Sequence, residues 1–76
     1  MKKIYYVVEK EIHLVGDIEE VTGWKDVRIY HLKKDELTLI SQFELGISDN
    51  SEKEVSNYLL DNLLFEKENQ FELIQL

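Results

Sequence analysis

Residues 16 and 17 of this chain, Gly-Asp, separate two long runs of strand-forming residues, and no other feature limits the fold as strongly. Glycine ahead of aspartate supplies the positive φ needed at the first centre of a type II′ turn, so the pair reads as a two-residue hairpin loop. Such a loop fixes which residues oppose one another. With Val15 facing Ile18, Ile4 is set against Ile29, Tyr6 against Val27 and Ile12 against Val21 on one side of the ribbon. The other side pairs Tyr5 with Arg28 and His13 with Glu20. Side chains alternate with period two, so a slip of one residue would mix the two sets.

Three strands are predicted from these patterns, Lys3 to Val15, Ile18 to Leu32 and Glu36 to Leu45. At about 3.3 Å per residue the first would span roughly 43 Å if straight, which calls for a bend. Glu9-Lys10-Glu11 and Thr22-Gly23 are the places for it, with Gly23 allowing a bulge. The second hairpin is expected to turn through three residues, Lys33-Lys34-Asp35, opposing Ile29 with Leu39, His31 with Leu37 and Val27 with Ser41. A two-residue loop would instead put Gln42 and Glu44 on the apolar face, and it is rejected on that ground.

Beyond a loop at Gly46 to Asn50, Ser51 and Glu54 form a capping box that starts a helix at about Glu52. Its expected end is near Glu66, and Val55, Ser56, Leu59, Leu60, Leu63 and Leu64 share the half that turns to the sheet. Residues 70 to 76 read as a last edge strand. The expected architecture is α+β in the order β-β-β-α-β, a single domain over residues 1–76. It is a curled antiparallel three-stranded meander, followed by one helix packed on one sheet face and a short C-terminal edge strand.

With 76 residues and no cysteine, the chain has a thin core and neither a disulfide framework nor thiolate metal ligands. The net charge of -7 is unevenly spread. Residues 1–34 balance at +1, while residues 35–76 balance at -8. Acid in that amount repels phosphate, which argues against nucleic acid as a partner and is compatible with a basic protein. The opening Met1-Lys2-Lys3 precedes only five apolar residues, too few for a signal peptide, and no run suits a membrane span. The expected location is the cytoplasm.

No catalytic residue, metal ligand set or cofactor site is expected. Three isolated glycines build no phosphate loop, and two histidines lack metal-binding spacing. His13 beside Glu20 reads as a cross-strand polar pair, and His31 as a cap on the edge of the apolar layer. Two surfaces point instead to a protein partner. One is the sheet face away from the helix, where the register gathers Tyr5, Val7, Trp24, Arg28, Tyr30 and Ile40, including residue types enriched at interface hot spots. The other is a helix stripe of Glu54, Tyr58, Asp61 and Phe65, acidic with two aromatics. The functional expectation is a small non-catalytic protein-binding module working through one of these. Its alternatives are an acidic inhibitor that mimics nucleic acid in a basic enzyme groove, or a homo-oligomeric assembly subunit, for instance a homodimer.

Overall fold

In the computed structural model, which describes residues 1–76, strands β1 (Lys2–Val15), β2 (Ile18–Lys33) and β3 (Glu36–Gly46) form an antiparallel meander. Helix α1 (Ser51–Asp61) follows, then a single 3-10 turn (Glu68–Gln70) and strand β4 (Phe71–Gln75). β4 runs parallel to β1, giving a four-stranded sheet ordered β3-β2-β1-β4. The expected β-β-β-α-β order and α+β class are those observed.

The first hairpin turns at Gly16-Asp17 as expected, with φ +64 at Gly16 and Val15 opposite Ile18. His13 faces Glu20 and Ile12 faces Val21. Between Lys10 and Ile12 the ladder then shifts by two residues, because β2 carries extra chain around Gly23, whose φ is +94. Nearer the body Tyr6 therefore opposes Ile29, Tyr5 opposes Tyr30 and Val7 opposes Arg28. A shift of two preserves the alternation, so the pairings predicted for Ile4, Tyr5 and Tyr6 change while their faces do not.

The second hairpin departs from expectation in a more consequential way. Its loop has two residues, Lys34 and Asp35, at φ +51 and +65, the left-handed pair of a type I′ turn. Leu37 consequently opposes Leu32, and Leu39 opposes Tyr30. A bulge then corrects the register between Ile29 and Tyr30, so that Ile29 faces Ser41 and Val27 faces Phe43. This one-residue insertion in β3, at Ile40, keeps Gln42 and Glu44 off the apolar side, which is why the shorter loop is tolerated.

The core is small: Ile4, Tyr6, Val27, Ile29, Val55, Leu59 and Phe71. α1 lies over the inner sheet face through Val55 and Leu59, with Val8, Ile40, Phe43, Leu45 and Leu73 around the margin. Ile40, expected outside, thus packs with the core. Burial raises the Tyr6 hydroxyl pKa, and the nearby Glu52 carboxylate adds to the effect. One cation is also enclosed: Lys25 Nζ donates to the carbonyls of Ile47 (3.3 Å) and Asp49. This ammonium holds the β3–α1 loop, whose Asp49 Oδ2 accepts from Gly46 N at 2.9 Å.

α1 begins with Asn50, not Ser51, as its cap; the Asn50 side chain accepts from Lys53 N at 3.1 Å. It stops five residues earlier than expected. Leu63 takes φ +58, Leu64 N donates to Leu59 O and Leu63 N to Leu60 O, the bonding of a Schellman C-cap. Leu63 and Leu64, expected against the sheet, are exposed as a result, Leu63 by 86%.

The molecule is long, 46 × 25 × 16 Å, with a radius of gyration of 14.3 Å. A compact chain of this length would have about 11 Å. β3 pairs only with residues 24–33 of β2 and β4 only with residues 2–6 of β1. The distal hairpin therefore projects as a two-stranded ribbon, leaving Ile12, Leu14, Val15, Ile18 and Val21 exposed. Ile12 and Val21, expected to extend the core, lie beyond the reach of the helix.

Candidate functional site: the outer sheet face

Because α1 covers one side of the sheet, the odd residues of β1 and the even residues of β2 up to Leu32 form its open side. The ladders place these side chains in transverse rows. Ile74, Tyr5, Tyr30 and Leu39 make one row across all four strands. Val7, Arg28 and Gln42 make the next, and Glu9, Asp26 and Glu44 the one after. Leu32 and Leu37 flank the first row, and Trp24 lies beyond the acidic row, opposite Gly46. The face is thus apolar and aromatic toward the second hairpin turn and acidic toward the root of the ribbon.

Tyr5, Arg28 and Tyr30 are half-buried here, and Trp24 is 50% exposed. Leu37 and Leu39 belong to the same surface, Leu39 at 51% exposure. The three-residue loop expected from sequence had turned both leucines inward, and that is why they were missed. No glycine at Lys34-Asp35 signals the two-residue turn that would have placed them outward.

Arg28 Nη1 lies 3.8 Å from Glu9 Oε1, both side chains solvated, so the pair orients the guanidinium with little effect on stability. The acidic end is more strongly coupled. Glu11, Asp26 and Glu44 bring carboxylate oxygens within 4.8 Å of one another. A hydrogen bond from Glu11 to Glu44, with smaller contributions from desolvation and the neighbouring charges, pushes the Glu11 pKa up to about 7. Three oxygens of this kind suit a hard cation such as calcium in type, but surface carboxylates commonly gather in this way without one. Its clear property is concentrated negative charge.

The helix stripe is not assembled. α1 ends at Asp61, so Phe65 is not on it. The Tyr58 ring stacks on Phe43 at 5.3 Å, and Phe65 packs on Phe71 at 4.9 Å. Both aromatics border the core, which leaves Glu54 and Asp61 without the rings expected beside them.

Two hollows lie elsewhere. An open polar depression of about 410 Å³ between α1 and β4 is lined by Asn50, Lys53, Ser56, Asn57 and Glu68 among others. Its serine has no histidine partner in the lining, so no activated nucleophile is assembled. A smaller apolar hollow of about 170 Å³ includes His31, Ile40, Leu64 and Phe65, with His31 at the edge of the apolar layer. No helix is long and apolar enough to cross a membrane. No family model, curated protein or solved structure matches this chain.

Proposed function

We propose that the chain is a small non-catalytic module of the cytoplasm that binds a protein partner on the outer face of its sheet. The partner presents an apolar patch flanked by basic residues. The observation that carries this reading is the row Ile74–Tyr5–Tyr30–Leu39, continued by Leu32 and Leu37, lying uncovered beside Arg28 and the carboxylates of Glu9, Glu11, Asp26 and Glu44. Aromatic and aliphatic side chains next to an oriented arginine supply the desolvated centre of an interface. The acidic end supplies attraction to a basic rim, speeding encounter and selecting the partner by charge. The same acid supports the inhibitor reading, in which the basic surface is an enzyme's nucleic-acid groove.

The test is capture of an identified partner by the intact chain, repeated with the two purified proteins. Trp24→Ala with Arg28→Ala should lose at least roughly tenfold in affinity, the scale of one to two interface residues, with the melting temperature almost unchanged. Rising salt should weaken binding. Binding that ignores both the substitutions and salt would refute the proposal.

A further inference from the structure

We infer that the projecting ribbon pairs with a second copy of this chain, edge to edge along β1, about a two-fold axis at Ile12. Two strands alone are marginal in water, and this ribbon exposes apolar side chains. Its β1 edge is open from Val8 to Val15, since β4 reaches only Tyr6. The Tyr6 carbonyl accepts from Leu76 N at 2.9 Å, so the even residues of β1 point their main-chain groups toward this edge. Val8, Lys10, Ile12 and Leu14 thus offer the donors and acceptors that an added strand takes.

The charges select a second copy and its register. A two-fold axis normal to the sheet keeps outer faces together, so each residue opposes one of the same parity. Centring on Lys10 would set Lys10 against Lys10 of the other copy and Glu9 against Glu11. Centring on Glu11 would oppose two members of the carboxylate trio. Centring on Ile12 opposes Ile12 with itself, Lys10 with Leu14 and Glu11 with His13, twice over. His13 then stands between Glu20 of its own hairpin and the Glu11 cluster of the other copy, where an imidazole N–H can donate to a carboxylate that has only acidic neighbours within one chain. In this register residues 9–15 pair with 15–9, and the copy's turn stops short of the end of β4. The opposite edge of the ribbon is less suited, because it carries Glu19, Glu20 and the irregularity at Gly23.

The pairing shares Glu9 and Glu11 with the acidic end of the partner-binding face but leaves the apolar rows around Tyr5, Tyr30 and Leu39 open, so dimerisation and partner binding are read separately. Sedimentation of the intact chain should show a monomer–dimer equilibrium in the micromolar range. His13→Glu should weaken it by about tenfold through two like-charge pairs across the axis, with the melting temperature of dilute protein read alongside because the new carboxylate also faces Glu20 of its own hairpin. The chain has no native cysteine, so single cysteines report the register. A short thiol cross-linker should join Ile12→Cys to itself. Lys10→Cys and Leu14→Cys should cross-link only when mixed, each lying roughly 13 Å from its own symmetry mate. A monomer at high-micromolar concentration, or equal cross-linking of all three variants alone, would overturn the inference.

Discussion

Leu63 carries an unfavourable backbone at the end of α1. It sits at φ +58 with its side chain almost wholly in water, so it contributes the cap's geometry and almost no packing. An L-residue in the left-handed region costs about 1–2 kcal/mol, which glycine avoids. Leu63→Gly is therefore expected to raise the unfolding free energy by about 1 kcal/mol, read by chemical denaturation. A loss of stability would show that the leucine makes a contact absent from this account. The same residue explains why the helix end was illegible in the sequence. Neither glycine nor proline marks it, and the leucine spacing continues past it to Leu64. Lys25 was overlooked for a related reason: alternation places it inward, but its chemistry speaks for the surface. Only the loop carbonyls from Ile47 and Asp49 make its burial acceptable.

Among the elements, the two hairpins differ in how openly they declare themselves. Gly16 occupies a position that favours glycine, and the pairing near that turn follows from it. Lys34 and Asp35 adopt positive φ without glycine, and the Ile40 bulge then repairs the register, two departures that conceal one another in the sequence. The root of the ribbon responds to pH. Glu11, with its pKa raised to about 7, lies by Glu44 and Asp26, with Glu9 and Arg28 on the same face. A carboxyl raised above its unfolded value binds more protons in the folded state, so its contribution is complete below about pH 4.5 and is lost as pH rises through about 7. In dilute protein, Glu11→Gln should flatten this part of the stability profile and leave the variant the more stable form at pH 8. Parallel pH profiles for the two proteins would contradict the coupling.

At the scale of the whole molecule, a thin core holds a long sheet against one short helix, leaving half the sheet without cover. The face assigned to each strand survives the two-residue shift in the first hairpin, so the placement of Tyr5, Arg28 and Tyr30 was legible from Gly16-Asp17. The extent of the surface was not, because Leu37 and Leu39 join it only through the second turn. The helix stripe failed because leucine and aromatic periodicity cannot distinguish a continuing helix from a chain that folds back to pack Phe65 on Phe71. The most direct measurement is side-chain NMR with a soluble paramagnetic agent. Leu37 and Leu39 methyls should broaden markedly, less than those of Leu63, while Ile4, Val27, Ile29, Val55 and Leu59 stay sharp. Sharp Leu37 and Leu39 signals beside broadened Ile4 and Ile29 would mean that the helix covers the opposite side, and the proposed binding face would not exist.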